Sequence, residues 1–293
     1  SIYHKQPEPL LDQVEALLNL YNKRFSANDD SSELMKINKA AGLHPVKIHP
    51  ELFELISLGK WHSCQPGSHL NIAIGPLIQT WRIGFSDARL PFPEEITLLL
   101  DIINPNAIVL SEENQSVFLQ EKGMKIDLGA LAKGYIADRI ADYLKAENVT
   151  SALINLGGNI LTFGPALHNP DQKWRIGIQN PKETRNTNLM VLAIRDKSVV
   201  TSGIYERTFE IDGKTYHHIF DSQTGYPVSS DLASLTIISS LSVDGEIWTT
   251  RLFGPSLERI FQEVSSQPNL EAIIVDKDNH CFQTAGIYKI RLS

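Results

Sequence analysis

The stretch from Ile126 to Ile160 constrains the fold of this chain more than any other segment. It reads as the end of a strand at Asp127, a turn with Lys133 that is flanked by Gly129 and Gly134, an amphipathic helix, and an apolar strand that closes on a glycine pair. Glycine lets the backbone approach a ligand closely, and N–H groups near a helix start suit phosphate. We therefore predict a strand–loop–helix–strand unit with both glycine-rich corners near a ligand.

Length and charge limit what kind of protein this is. The 293 residues are long enough for one large domain, and we treat 1–293 as a single domain of two intimate subdomains. A formal net charge of -7 argues against a nucleic-acid-binding surface, and no basic patch offsets it. The two cysteines lie far apart, which predicts buried thiols rather than a disulfide or a zinc site. No apolar run is long enough for a membrane span.

Helical and strand patterns are mixed along the whole chain, which predicts an α+β fold with mixed or antiparallel sheets and flanking helices. The Asp-Gly turn at 212–213 predicts a hairpin between Thr208–Ile211 and Tyr216–Phe220. Met124–Ile126 is predicted as the strand that leads into Asp127, and Tyr288–Leu292 as the last strand of the sheet. On the helix that follows Lys133, Asp138 is predicted to face water.

Two familiar nucleotide-binding motifs are absent. Gly129 and Gly134 have the spacing of a P-loop, but Tyr135 and Ile136 stand where a lysine and a hydroxyl residue would be needed. No G-x-G-x-x-G motif follows a strand, which leaves dinucleotide binding of the Rossmann kind without support. The loop remains compatible with a phosphate-containing ligand. The alternative is structural, with Asp127 as a helix N-cap and Lys133 on the surface.

A second group of polar residues surrounds the predicted hairpin. Neighbouring strand residues face opposite sides, so His217 and His218 cannot both serve one site. Hydroxyl groups and the Asp221 carboxylate lie close in sequence, as general acid–base chemistry requires. The competing interpretation is a histidine in the core or on the surface whose hydrogen bonds are satisfied and which has no catalytic role.

Two further segments carry candidate ligands. Glu246 and Thr250 are four residues apart, so on a helix they share one face and offer the oxygen donors that Mg²⁺ prefers. A solvated glutamate on a capped helix is the structural alternative. The Trp81-Arg82 pair suits stacking on a flat ring, whereas a core tryptophan beside a surface arginine is the competing interpretation.

Five motifs, taken in their order and spacing, resemble those of the ApbE-like FAD:protein FMN transferases. They read DLGALAKGYIAD, ALINLGGNI, VVTSGIYER, HHIFDSQTGYP and GEIWTTRLF. The resemblance extends from about Leu10 to the C-terminus. It implies an ApbE-like, T-fold-like core with an FAD cleft between two subdomains. It also implies transfer of FMN from FAD to a threonine or serine of an acceptor protein, with Mg²⁺ and with release of AMP.

The resemblance also assigns roles to individual residues. The Mg²⁺ ligands would be the Ala130 carbonyl, Glu246 and Thr250, so the helix is expected to begin after Ala130. His218 is the candidate general base or proton relay, and Asp221 completes the candidate catalytic pair. The residues implied in FAD binding are Ser26, Trp81, Arg82, Ile83, Asp127, Lys133, Thr201 and Ser202.

Three features of the sequence depart from the family pattern. Glu246 stands where the family has an aspartate, so the longer side chain must fold back or Asp244 must help. Ser222 replaces a common proline. The family's Met-Gly-Thr segment, which helps to hold FAD, is not found ahead of Ser1, and its absence affects the affinity expected for FAD.

The sequence leaves two other functions and the compartment open. Water in place of the protein hydroxyl would make the chain a Mg²⁺-dependent FAD pyrophosphatase, and loss of catalysis would make it a flavin-binding protein. The resemblance implies an extracytoplasmic protein, membrane-anchored through an N-terminal segment that this sequence lacks. Otherwise the chain is expected in the cytoplasm.

Overall fold

The fold is described from a computed structural model, for residues 1–184 and 187–292. Contacts along the backbone divide the chain into two units. The first unit holds Ser1–Leu17, Lys133–Gly203 and Ser230–Ser293, and the second holds Leu18–Ala132 and Ile204–Ser229. The boundaries fall inside the first helix, at the start of the helix that follows the Asp127 loop, after Gly203 and after Ser229. Each unit has its own elements and core.

The first unit is built mainly from strands. Its helices are the start of α1 (Pro7–Phe25), α6 (Ala132–Ala146), α7 (Ser242–Arg251) and α8 (Leu257–Ser265). Its strands are β1 (Ile2–Tyr3), β5 (Ser151–Leu156), β6 (Asn159–Phe163), β7 (Trp174–Gln179), β8 (Asn188–Ile194), β9 (Ser198–Gly203), β12 (Leu232–Ser239), β13 (Glu271–Asp276) and β14 (Cys281–Gln283).

A seven-stranded antiparallel sheet organises this unit, in the order β1-β5-β6-β9-β12-β13-β14. The β7–β8 hairpin shares a buried apolar cluster with this sheet through Val199. α7 packs on β9 and β12, where a Cβ on Gly245 would lie 2.6 Å from Val200. Because successive strand residues point to opposite faces, the hairpin and α7 cover opposite faces of the sheet.

The second unit is mainly helical. Its helices are the rest of α1, α2 (Glu33–Lys39), α3 (Pro50–Ser63), α4 (Gly75–Trp81) and α5 (Pro93–Leu100). Its strands are β2 (Val46–Lys47), β3 (Ile108–Ser111), β4 (Ser116–Leu119), β10 (Thr208–Ile211) and β11 (Lys214–His217). β2, β4 and β3 form one small sheet, and one apolar cluster joins α4 and α5 with Phe220.

The predicted α+β class is confirmed, and so is a hairpin at the Asp-Gly turn, but its second strand is Lys214–His217 rather than Tyr216–Phe220, so His218 lies just beyond the strand. Asp212 and Gly213 have φ values of 51° and 71°, and Ile211 pairs with Lys214 across the turn. A two-residue hairpin turn of this kind requires positive φ at both of its central residues. The description as one domain of two subdomains stays a prediction.

Met124–Ile126 is not a strand, contrary to the prediction. Only an isolated bridge joins Lys125 to Ile74, because the neighbouring segment turns into α4 instead of running alongside. The side chain of Asn38 takes the place of a partner strand. Its Oδ1 accepts from Ile126 N at 2.7 Å, and its Nδ2 donates to Ile126 O at 3.0 Å.

Tyr288–Leu292 is also not a strand. Residues Ala285–Lys289 form a 3₁₀ helix, and the edge of the sheet is taken by β14. The Glu271 carboxylate accepts from Gly286 N at 3.1 Å, and Ile287 is fully buried. The last residues bond to β8 instead of the sheet edge, with Ala193 N donating to Ile290 O at 2.6 Å and Leu292 N donating to Val191 O at 2.9 Å.

Two expectations from composition concern cysteines and membranes. Both cysteines are free, but Cys281 is exposed and Cys64 is only partly buried, so the prediction of two buried thiols is wrong. Within residues 1–184 and 187–292, no helix is both long and apolar enough to span a bilayer.

Candidate active site

A buried carboxylate on α7 is the centre of the candidate site in the first unit. The Glu246 side chain is about 5% exposed. Its Oε1 accepts from Asn159 Nδ2 at 2.5 Å and lies 3.1 Å from Lys133 Nζ. Its Oε2 is buried and has no hydrogen-bond partner among the described residues.

Three elements bring this group together. Lys133 lies at the start of α6, Asn159 begins β6, and Glu246 lies in the middle of α7. Lys133 Nζ also donates to Asn159 Oδ1 at 3.4 Å, which closes a triangle of contacts. Thr250 follows Glu246 by about one helical turn and is partly exposed.

The unpartnered Glu246 oxygen fits a hard cation. A buried carboxylate oxygen without a partner is costly, because a buried polar atom loses its contacts with water. A divalent cation would remove that cost, and a threonine hydroxyl one turn away supplies a second oxygen donor of the kind that Mg²⁺ prefers. The donor set therefore fits the Mg²⁺ ligands predicted from the sequence on this helix.

Gly134 serves helix packing rather than ligand approach. A Cβ on Gly134 would lie 2.5 Å from the Ser242 carbonyl oxygen and 2.7 Å from Val243 Cα, both at the start of α7. The prediction that the first glycine-rich corner lies close to a ligand is therefore wrong for Gly134. Gly157 and Gly158 have positive φ, and a Cβ on either would meet no atom within 4 Å.

We expect Gly134→Ala to destabilise the protein by about 1–3 kcal/mol, because the methyl group would force α6 and α7 apart. Thermal unfolding followed by circular dichroism measures the change. Asp142→Gly compared with Asp142→Ala, at an exposed position of the same helix, is the control for helix propensity. An unchanged melting temperature in Gly134→Ala would contradict close packing of the two helices.

Asp138 does not face water, contrary to the prediction. It is 5% exposed, and its two carboxylate oxygens accept from Ser242 N at 2.8 Å and from Val243 N at 2.9 Å. Burial raises the pKa of Asp138 to about 6, although the two backbone N–H groups act in the opposite direction. A polar residue on an amphipathic helix is ordinarily solvated, and only the tertiary partner on α7 explains this burial.

In the second unit, the Asp127 loop is held by a local turn. Asp127 Oδ1 accepts from Gly129 N at 2.7 Å. Burial raises the pKa of Asp127, while the Gly129 N–H and the charge of Arg207 lower it. Asp127 does not cap the following helix, because α6 begins at Ala132. The expectation that this helix begins after Ala130 is confirmed.

The two neighbouring histidines have different surroundings. His217 Nδ1 accepts from Ile219 N at 3.3 Å, so its Nε2 carries the hydrogen that Val228 O accepts at 3.1 Å. His218 Nδ1 lies 3.3 Å from Arg207 O. Because a carbonyl oxygen can only accept, Nδ1 of His218 carries a hydrogen, and in the neutral ring Nε2 is the proton acceptor.

Trp81 lies in the core of the second unit. Its side chain has no exposed surface, its Nε1 donates to Gly225 O at 2.9 Å, and its ring contacts Tyr216, Phe220 and Tyr226. Arg82 Nε bonds Asp87 at 3.1 Å, and its guanidinium lies 4.0 Å from the Phe85 ring centre. These contacts agree with the alternative of a core tryptophan beside a surface arginine. The predicted contacts of this segment with FAD, including buried Ile83, stay predictions.

The remaining candidates have structural contacts of their own. Ser26 Oγ accepts from Asn28 N at 3.2 Å, and Asp221 Oδ1 accepts from Gln223 N at 2.8 Å. The Thr201 and Thr236 hydroxyls lie 2.8 Å apart. Thr201 and Ser202 are neighbours in β9, so their side chains point to opposite faces of the sheet, and Ser202 shares the face of Val200 and α7.

The structure brings some of the candidates together within each unit. Lys133 and Glu246 meet in the first unit. In the second, Arg207 accepts from His218 through its carbonyl, and its charge acts on Asp127. The sequence places Arg207 in the group of polar residues around the predicted hairpin, without a separate role, and assigns nothing to Asn159. Asn159 lies inside the motif ALINLGGNI, and that position was the available signal.

Comparisons with known proteins agree with this picture. Residues 1–274 match the model of the ApbE family. A protein of Klebsiella pneumoniae named FAD:protein FMN transferase is 43% identical over 275 residues, covering 94% of this chain and 84% of that protein. A protein of Treponema pallidum with the same name is 35% identical over 301 residues, covering 98% of this chain and 83% of that protein.

Solved structures share the fold. The ApbE protein of Thermotoga maritima superimposes with a TM-score of 0.90 at 24% identity, covering 100% of this chain and 94% of that one. The apo form of the flavinyl transferase ApbE of Pseudomonas stutzeri gives a TM-score of 0.83 at 24% identity, covering 97% of this chain and 89% of that one.

Proposed function

The chain belongs to the ApbE family, and on that premise we propose that it transfers the FMN part of FAD to a threonine or serine hydroxyl of an acceptor protein and releases AMP. The resemblance inferred from the five sequence motifs is confirmed by the family match. The activity itself is carried over from relatives that match nearly the whole chain.

The observation that carries the proposal is the buried Glu246 carboxylate, with one oxygen held by Asn159 and Lys133 and the other unpartnered within the described part of the chain. Glu246 and Thr250 would hold Mg²⁺, with the Ala130 carbonyl as the further ligand that the family resemblance implies. When bound, Mg²⁺ neutralises negative charge on the phosphate oxygens. Glu246 in place of the family's aspartate keeps the carboxylate that this role needs.

The reaction exchanges one phosphorus–oxygen bond for another. The acceptor hydroxyl oxygen bonds to the phosphorus of the FMN half, the bond from that phosphorus to the bridging oxygen breaks, and AMP leaves with that oxygen. His218, as the neutral tautomer with its acceptor at Nε2, would take the hydroxyl proton. Lys133 would offset charge that develops on the phosphates, and Asp221 would orient the turn that follows His218.

FAD is the substrate, and the resemblance supplies the residues that would bind it. They are Ser26, the Trp81–Ile83 segment, Asp127, Lys133, Thr201 and Ser202. Burial raises the pKa of Asp127 while the charge of Arg207 lowers it, and such opposing influences on one carboxyl group support a functional role for it. For Trp81, whose ring is enclosed, the contact would come from the backbone of this segment.

The test is an incubation of the protein with FAD, Mg²⁺ and an acceptor protein that has an exposed threonine. We expect a covalent flavin adduct on the acceptor by intact-protein mass spectrometry, and AMP in equal amount. No adduct should form when EDTA removes the cation, and its formation should resume when Mg²⁺ is restored. An acceptor with that threonine changed to alanine is the matched control.

The other two functions give different products in this assay. Free FMN with AMP and no adduct would identify an FAD pyrophosphatase, in which water replaces the acceptor hydroxyl. Bound FAD without either product would identify a flavin-binding protein. Either outcome would overturn the transferase proposal for that acceptor class.

A further inference from the structure

The start of α7 is capped by a residue from another helix. The N-cap position of α7 is Leu241, which has no side-chain hydrogen bond to the helix. The first N–H groups of α7 instead meet Asp138 on α6, with distances of 2.8 Å to Ser242 N and 2.9 Å to Val243 N. A carboxylate at this position satisfies two N–H groups and opposes the positive end of the helix dipole.

A cap from a distant element does more than a local cap. A local N-cap stabilises a helix wherever the helix lies, because cap and helix move together. Asp138 is 104 residues away from Ser242 in sequence, so its two bonds also fix where α7 begins relative to α6. Gly134, one turn earlier on α6, permits the close backbone approach that these bonds need.

The same two helices carry the candidate cation site. Lys133 at the start of α6 contacts Glu246, which lies one helical turn after Ser242 on α7. A small shift of α7 along its axis would therefore move Glu246 away from Lys133 and Asn159. Metal sites depend on such supporting contacts as well as on the ligands themselves.

We propose that Asp138 is a positioning residue, which anchors the start of α7 on α6 and thereby holds Glu246 and Thr250 in the arrangement that binds a divalent cation. The proposal rests on the proposed function only in requiring that α7 binds a cation. Asp138 itself does not contact the cation or the substrate in this proposal.

The first test is the cation affinity of Asp138→Asn. Asparagine keeps the shape and one oxygen acceptor, but its amide group cannot accept from the second N–H of α7. We expect the dissociation constant for Mn²⁺, measured by electron paramagnetic resonance with and without FAD, to rise about tenfold or more. Asp142→Asn, on the same helix at an exposed position, is the matched control and should bind Mn²⁺ like the unchanged protein.

A second variant separates positioning from helix stability. Leu241 is 51% exposed and has φ −106° and ψ 143°, a conformation that suits an N-cap serine. Leu241→Ser in the Asp138→Asn protein supplies a local cap without tying α7 to α6. We expect this double variant to recover thermal stability but not Mn²⁺ affinity, and it replaces the single variant if that protein is too unstable to assay.

The outcomes distinguish this proposal from the proposed function. Unchanged Mn²⁺ affinity in Asp138→Asn, or affinity restored by Leu241→Ser, would overturn the positioning role and leave the cation site intact. Absence of Mn²⁺ binding in the unchanged protein would overturn both. Binding that is lost in Glu246→Ala and weakened in both Asp138 variants is the expected result.

Discussion

Replacing His218 by alanine is expected to reduce FMN transfer by about 10²–10⁴-fold while FAD still binds. The reason is the tautomer set by Arg207, whose carbonyl oxygen accepts from Nδ1 and leaves Nε2 as the basic nitrogen of the neutral ring. Adduct formation by mass spectrometry gives the rate, and quenching of flavin fluorescence gives the FAD affinity.

The neighbouring histidine offers the control. Both ring nitrogens of His217 have backbone partners, Ile219 N and Val228 O, so its role is structural. We expect His217→Ala to lower thermal stability and to keep most of the transfer rate. Full activity in His218→Ala would remove that residue from the mechanism, and equal losses in both variants would point to a folding defect.

Glu246→Ala is the second substitution with a large expected effect. We expect at least about a hundredfold loss of Mg²⁺-dependent transfer, because the variant lacks the buried carboxylate that would hold the cation. Binding of Mn²⁺ should be lost in parallel. Titration of the transfer rate with Mg²⁺ and direct Mn²⁺ binding measure the two effects separately.

Two variants sharpen this prediction. Glu246→Asp keeps a carboxylate, the residue type that the family resemblance implies at this position, and should retain cation-dependent transfer. Glu258→Ala changes an exposed glutamate on α8 and should leave both quantities unchanged. Cation binding that survives in Glu246→Ala would show that the buried carboxylate is not a ligand.

The parts of the fold that depend on local chemistry could be predicted from the sequence. The Asp212-Gly213 turn needs only two residues that tolerate positive φ, and its hairpin is present as expected. The start of α6 follows from the role assigned to Ala130, and the helix begins at Ala132. The fold class and the family could also be predicted from the sequence, because each depends on residue patterns within short segments.

The predictions were wrong where a residue's hydrogen-bond or packing partner lies far away in the sequence. Met124–Ile126 has the apolar pattern of a strand, but Ile126 pairs with the side chain of Asn38, which no local pattern reveals. Asp138 has the spacing of a solvated residue, but the start of α7 encloses it. Gly134 was interpreted as room for a ligand, whereas the Ser242 carbonyl fills that space.

The sequence predicted which residues belong to the candidate site, but not which of them contact each other. The sequence predicted Lys133 and Glu246 as site residues without indicating that they form an ion pair. Asn159, which holds the same carboxylate, belongs to a motif in which only the glycine pair was predicted to lie near a ligand. Such pairings depend on how β6 and α7 come together, which periodicity within either element does not determine.

The Asn38–Ile126 pair also bears on the order in which the chain acquires its structure. One side-chain amide imitates a peptide group, so Ile126 takes both of its main-chain bonds from a residue of α2 that lies 88 positions earlier in the chain. Contacts of such long sequence separation form late in folding, because a long loop must close first. Because α2 has only seven residues and such a short helix is marginal in isolation, we expect the helix and the Asn38–Ile126 pair to form together.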